Sequence, residues 1–250
     1  MATAKSRYDA LASGRNQFLQ TAIDSAKLTI PYLIKHDEED SNYKTLITPW
    51  QSVGAKGVTT LASKLMLALL PPQTSFFKLQ IDESSMLSGK LDPNMKSDLD
   101  IAFSKIERVI LDAIAASDDR VVIHQALKHL VVSGNALIFM DKDNLKLYPL
   151  NRYVVERDGL GNVIEIVTKE KIHKNLVKKM LKDLDAKEVN RVDDESTGYS
   201  REDVDVYTII KRDNNRFIWH QEVYDKVIPG SQGKAPIDAT PWLPLRFNTV

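Results

Sequence analysis

The sequence predicts an α+β fold, in which N-terminal amphipathic helices are followed by a small mixed or antiparallel sheet. Two observations lead to this prediction. Apolar residues recur every three or four positions in the first half of the chain, and short β-rich segments separated by turn residues begin at residue 136. We therefore expect a mainly helical part, 1–135, and a strand-rich part, 136–250. A chain of 250 residues is long enough to bury a sizeable core.

Three of the expected helices are marked by their apolar spacing and by the residues at their ends. The first runs from Tyr8 to Ile30 and stops at Pro31. The second begins at Asp92-Pro93 and continues to about Ala116. The third runs from Asp119 to Val131, and Gly134 is placed to cap its C-terminus.

A fourth helix is predicted to begin at Thr48-Pro49-Trp50-Gln51 and to end at Leu70. Thr48 can cap this helix, Pro49 suits its first turn, and Gln51 can close a capping box. Gly54 and Gly57 lower the helix propensity, so close packing against a neighbouring element should compensate for them. The residues with a predicted structural packing role are thus Thr48, Pro49, Trp50, Gln51, Gly54, Gly57 and Gly134.

The second part predicts two hairpins and a basic helix. Strands are expected at 136–140, 145–149, 153–157 and 163–168, and Asp158-Gly159-Leu160-Gly161-Asn162 supplies the turn before the last of them. The period then becomes helical over about 169–184, with lysines on the outer face. A second hairpin is predicted from 204–211 and 216–224.

Composition excludes several classes of function. The chain has no cysteine, and therefore no disulfide, thiolate metal site or cysteine nucleophile. Its 34 basic residues equal its 34 acidic residues, which argues against strong, salt-sensitive attraction to DNA. The most apolar run, Val58 to Leu70, is shorter than a membrane helix and contains Lys64, so no membrane partner is expected. The first residues do not form a secretion signal.

No motif in the sequence predicts catalysis, a cofactor or a metal site. Gly230 to Ala235 has the wrong spacing for a phosphate loop. His220-Gln221-Glu222 has the order found in zinc deaminases but lacks their cysteines. The pair His124 and His129 and the turn Asp141 to Asn144 lack metal-site spacing, and Asp37 to Asp40 is typical of a solvated acidic run. The chain is therefore predicted not to be an enzyme.

Two neighbouring stretches carry a family resemblance. Thr48 to Gly57, which reads TPWQSVGAKG, and Leu61 to Pro71, which reads LASKLMLALLP, together resemble the portal (head-to-tail connector) proteins of short-tailed bacteriophages, the podovirus portal family. Further stretches resemble the same family in the same order along the chain: 130–137, 148–155, 161–163, 204–208 and 241–246.

This resemblance implies a structural subunit of the virion. Portal subunits form a ring, expected to have twelve members, at one capsid vertex, through which double-stranded DNA is packaged and ejected. The implied partners are further copies of the chain, capsid and scaffolding proteins, the terminase, and tail adaptor and internal core proteins, with assembly in the host bacterial cytoplasm. The matched region is the wing of the ring, and the C-terminal stem, clip and inner channel parts are expected to be absent.

Two other functions remain open at this stage. A metal-dependent DNA-processing enzyme would use acidic residues such as Asp141 and Asp143. A monomeric phage adaptor domain would bind its partner through the basic helix at 169–184 and would form no ring.

Overall fold

The computed structural model describes residues 3–34, 48–72, 74–80, 93–142, 144–180 and 203–247. Its helices are α1 Ala4–Gly14, α2 Asn16–Leu28, α3 Val53–Leu69, α4 Pro93–Ala116, α5 Asp119–Ser133 and α6 Lys174–Met180. Its strands are β1 Asn135–Met140, β2 Leu145–Tyr148, β3 Tyr153–Arg157, β4 Val163–His173, β5 Asp203–Asp213, β6 Arg216–Val223, β7 Lys226–Val227, β8 Gly233–Pro236 and β9 Trp242–Arg246. The predicted α+β class is confirmed.

The strands form two sheets, and every strand pairing among the described residues is antiparallel. The smaller sheet has the order β2-β1-β9, so the end of the described chain pairs with the first strand. The larger sheet has the order β3-β4-β5-β6-β7, with β8 also pairing with β6. The strand-rich part thus contains two antiparallel sheets, where the sequence predicted one sheet that could be mixed or antiparallel.

Both predicted hairpins are present, and their turns contain residues with positive φ. Gly161, with φ of +88°, lies in the turn between β3 and β4. Asn214, with φ of +51°, follows Asp213, which pairs with Arg216 across β5 and β6. Glycine and asparagine tolerate this region of backbone space better than other residues, so the turn chemistry is visible in the sequence.

The main core lies where α2 meets both sheets. Ala22, Ile23 and Ala26 of α2 share one buried cluster with residues of the smaller sheet and of the larger sheet. The cluster members from the sheets include Leu137, Tyr148, Ile166, Ile210 and Trp242. Small side chains on α2 allow its backbone to come near to both sheets.

Helix α1 lies on the larger sheet and is held there by polar contacts as well as by packing. The buried Glu222 accepts a hydrogen bond of 2.6 Å from the backbone nitrogen of Ala4, in the first turn of α1. Arg7 donates to Glu165 at 2.7 Å and also pairs with Glu156. A carboxylate at a helix N-terminus satisfies a free N–H group and complements the helix dipole.

The predicted helix from Tyr8 to Ile30 is in fact two helices. The break is at Arg15, which ends α1 and precedes α2. Tyr8 of α1 is buried against β3, β4 and β5, whereas α2 packs in the main core. Because the two segments bury different faces against different partners, one straight helix could not satisfy both, and the apolar spacing does not reveal this change of direction.

The predicted helix start at Thr48 is wrong. Helix α3 begins at Val53, no side chain caps it, and Trp50 is fully exposed. A local cap contributes only about 1 kcal/mol, which tertiary packing can override. At Gly54 the helix abuts the end of α2, where a Cβ atom would lie 2.7 Å from the carbonyl oxygen of Leu28.

The predicted basic helix is wrong in its first part. Residues 169–173 extend β4, in which Lys169 lies opposite Tyr207 and His173 lies opposite Asp203 of β5. Helix α6 occupies only Lys174–Met180, and residues 181–184 lie outside the described residues. Pairing with β5 along the whole of β4 outweighs the weak helical period.

Gly54 and Gly57 provide a matched test of helix packing. A Cβ at Gly54 would meet backbone atoms, whereas a Cβ at Gly57 would meet nothing within 4 Å. We expect Gly54→Ala to lower the free energy of unfolding by about 1–3 kcal/mol because the neighbouring backbone must move. Gly57→Ala should raise it by about 0.5–1 kcal/mol through helix propensity. Urea unfolding monitored by circular dichroism measures both; equal effects would contradict the packing assigned to Gly54.

His129 of α5 should make stability depend on pH. Its side chain is buried, and burial lowers its pKa from 6.5 to about 4. The neutral form is therefore favoured in the folded protein, and the resulting stability is present above pH 6.5 and lost as the pH falls towards 4. Between pH 7 and pH 5, wild type should lose roughly 2 kcal/mol more unfolding free energy than His129→Leu.

Urea unfolding at the two pH values measures this difference. NMR titration of the His129 ring in the wild-type protein is the second measurement, and it does not require the variant to fold. A His129 pKa at or above 6.5 would contradict the expected pH dependence.

Candidate assembly surface

The helical layer is built on close packing between α3 and α5. Residues Val58 and Ala62 of α3 are buried, and Ala62 shares a core cluster with Ala126, Leu127 and Leu130 of α5. Arg120 of α5 donates a hydrogen bond of 2.6 Å to the carbonyl oxygen of Leu70, at the end of α3. The side chains of Ser63 and His124 lie 3.3 Å apart. These contacts fix the relative position of the two helices.

Helix α4 is much less covered than α3 and α5. Leu99 and Phe103 are half-buried, and no α4 side chain described by the structure is fully buried. The backbone nitrogen of Leu79 donates to Glu107 of α4 at 2.6 Å, which ties the preceding segment to the helix. Ile106 and Val109 lie one turn apart on a second, exposed apolar stripe.

Large apolar side chains are exposed on all three of these helices. They are Leu61, Leu67 and Leu69 of α3, Ile101, Ile106, Val109 and Ile110 of α4, and Val121 of α5. Ile106, Val109 and Ile110 lie on one side of α4, and we call these three side chains the apolar helical surface. Single exposed apolar residues are ordinary, but several large ones on one side of a helix are typical of a protein–protein contact. Val109, for example, is 67% exposed. The surface is therefore a candidate site of assembly.

The residues singled out in the sequence lie at two places in this helical layer. Thr48, Pro49, Trp50 and Gln51 precede α3, and Gly57 is exposed on it. Gly134 follows α5 with φ of +70°, and its nitrogen donates to the carbonyl oxygen of Leu130 at 2.9 Å. That conformation is the one expected of a C-terminal helix cap.

The candidate chemical motifs are used in internal contacts. Nε2 of His220 lies 2.8 Å from Oε1 of Glu222, whose other oxygen binds Ala4. Oδ1 of Asp141 accepts a hydrogen bond from the backbone nitrogen of Lys142. Within the described ranges, no group of three or more His, Asp or Glu side chains could hold a metal ion. Asp143 and the acidic run 37–40 lie outside those ranges.

Comparison with known proteins identifies the family. A family model described as "Bacteriophage head to tail connecting protein" matches residues 1–250. The chain belongs to this family. This chain is 37% identical to the portal protein of Enterobacteria phage T3 and 36% identical to that of Escherichia phage T7. These two alignments cover 99% and 98% of the chain and 46% of each relative.

A third relative extends the family likeness. The portal protein of Enterobacteria phage SP6 is 33% identical over 64% of this connector chain and 31% of its own length. The chain spans about half the length of the T3 and T7 relatives. The resemblance found at Thr48 to Pro71 is thus confirmed along the whole chain.

The connector's apolar helical surface was missed in the sequence. The spacing of α4 predicted a single apolar face that included Ile106 and Ile110, and both side chains are exposed. The sequence did contain a sign of this surface. On α4, Ala102, Ile106, Val109 and Ala113 form a further apolar stripe beside Leu99 and Phe103, so the apolar side of the helix is wider than one buried face needs. Among the described residues, no helix is long and apolar enough to span a bilayer.

Proposed function

We propose that this chain forms part of the wing of a portal ring at one capsid vertex, and that the apolar helical surface joins neighbouring subunits. Family membership supports the ring, and the exposure of Ile106, Val109 and Ile110 on one side of α4 supports the position of the contact. In a cyclic ring each contact is heterologous, so this surface would meet a different surface of the next copy. Burial of its apolar side chains would stabilise that contact.

The ring would act as a conduit for DNA and as a docking site for the terminase, the tail adaptor, and capsid, scaffolding and internal core proteins. The equal numbers of acidic and basic residues support a region that does not grip DNA. A passive role in translocation fits this balance, because many phosphate contacts would resist sliding. Assembly in the host cytoplasm and residence in the virion follow from the same proposal.

The ring proposal makes a specific prediction for α4. Val109→Glu places a charge on the apolar helical surface, so the association constant of a single subunit contact should fall at least about tenfold, a cost of about 1.4 kcal/mol per contact. Because every contact in the ring carries the change, the fraction of protein in rings should fall by at least as much. The folded subunit should keep its melting temperature because the side chain is already mostly exposed. Sedimentation velocity and thermal unfolding of the protein at its natural length measure the two quantities.

Ser104→Glu is the matched control. It lies on the same helix, is exposed and introduces the same charge outside the two apolar stripes. Rings should form as in the wild type. Normal ring formation by Val109→Glu would reject the apolar helical surface as the contact, and equal losses in both variants would reject its specificity.

A further inference from the structure

A pocket of about 260 Å³ opens between α2, the β3–β4 hairpin and β9. Three arginines line it: Arg15 between α1 and α2, Arg157 at the end of β3, and Arg246 at the end of β9. Phe18 and Tyr153 are among the residues that complete the wall. We call this site the arginine pocket. It lies outside the apolar helical surface.

The turn between β3 and β4 positions two of the three guanidinium groups. Arg157 donates to the carbonyl oxygen of Gly161 at 2.9 Å and to that of Pro244 at 3.0 Å. A Cβ at Gly161 would lie 3.3 Å from Nη2 of Arg246, so that guanidinium lies directly against the turn. Hydrogen bonds from Asn162, more than those from the other turn residues, lower the pKa of Asp158 and help to fix the turn.

The third arginine is the most buried. Nε of Arg15 is inaccessible to solvent and has no hydrogen-bond partner. Its guanidinium carbon lies 5.9 Å from the centre of the Tyr153 ring. Burial lowers the pKa of Arg15, and burial followed by the charge of Arg246 lowers the pKa of Arg157. The pocket thus concentrates positive charge at a cost in desolvation.

No carboxylate of the described residues forms an ion pair with Arg15, Arg157 or Arg246. Buried charges in proteins are normally paired, because an uncompensated one is costly. Arg15 is the most buried of the three, and a bound acidic group would offset the cost of burying its charge. Guanidinium groups match the planar geometry of a carboxylate and can hold it through two parallel hydrogen bonds.

We infer that the arginine pocket receives an aspartate or glutamate side chain of a second copy of this chain, and so forms a charged contact between subunits. This inference rests on the ring of the proposed function. The chain carries 34 acidic and 34 basic residues, so outside the three arginines of the pocket there are 34 acidic residues against 31 basic ones (34 − 3). A neighbouring copy therefore offers the complementary charge.

The size and walls of the pocket favour a side chain over DNA. A space of about 260 Å³ accommodates one acidic side chain, whereas a duplex, whose major groove alone is about 12 Å wide, cannot enter. The apolar wall formed by Phe18, Tyr153 and Pro244 keeps water from the ion pair and strengthens it.

Photo-crosslinking tests which molecule occupies the pocket. These 250 residues contain no cysteine, so Phe247→Cys creates the one attachment point within them, beside Arg246, and leaves all three arginines intact. Phe247 is exposed, so the change should be tolerated. With a benzophenone maleimide on Cys at this position, rings should give crosslinked dimers whose linked peptide contains Asp or Glu. Arg216→Cys, on an exposed site of β6, is the labelling control and should not link to that peptide.

Arg246→Glu tests whether the charge contributes to assembly. The fraction of protein in rings should fall at least about tenfold, because the variant places like charges together in a desolvated contact. The melting temperature of the subunit should not fall, since the Arg246 side chain is exposed, makes no ion pair with another described residue, and repels Arg157. Arg216→Glu is the matched control and should assemble as the wild type does. Sedimentation velocity measures the ring fraction of each variant.

The outcomes separate this inference from the proposed function. Wild-type rings together with unchanged assembly of Arg246→Glu, or with no crosslink between copies, would overturn the arginine pocket alone. A crosslink to packaged DNA would also overturn it, since the occupant would then be a phosphate. A wild-type protein that never forms rings would overturn both proposals.

Discussion

The arrangement of the molecule depends on one short segment, the face of α2 that carries Ala22, Ile23 and Ala26. These side chains lie in the core shared by both sheets, so α2 fixes where the smaller sheet sits relative to the larger one. The two ends of the same helix determine other features. Its beginning contributes Arg15 to the arginine pocket, and its end limits the space at Gly54 of α3. A change in the position of α2 would disturb the core, the pocket and the helical layer together.

The chain has no net charge, but its charged side chains have different surroundings in different parts of the fold. Glu222 and Glu165 are buried and hold α1 on the larger sheet through Ala4 and Arg7. These acidic groups are satisfied internally, as buried carboxylates must be. Within the part of the chain that the structure describes, no carboxylate holds the arginines around the pocket in this way. A formal charge of zero therefore conceals an internal ionic framework at one place and a cationic pocket at another.

Much of the fold was predictable from local sequence, and the reasons differ between elements. Helix α4 was found because its start and its apolar period agree, and the hairpin at Asn214 was found because its turn residues are distinctive. The predicted start of α3 was wrong because packing at Gly54 outweighs the local capping preference. The predicted end of β4 was wrong because pairing with β5 outweighs the local helical preference. The arginine pocket could not be predicted, since its three arginines are far apart in the sequence and only the fold brings them together.

The family could be predicted from the sequence, whereas the apolar helical surface could not. The stretch from Thr48 to Pro71 was sufficient to indicate the connector family, although its capping residues do not form the cap that they suggest. The apolar helical surface required the structure, because an exposed apolar stripe has the same spacing as a buried one. Exposure, and not sequence pattern, distinguishes the face that packs internally from the face available to another subunit.

The central claim is that this connector chain assembles into a closed ring through its wing. Native mass spectrometry with negative-stain imaging of the protein, expressed at its natural length, tests this most directly. The account predicts one dominant closed ring of about twelve subunits. A monomer at every concentration, under the conditions in which capsids assemble, would contradict it.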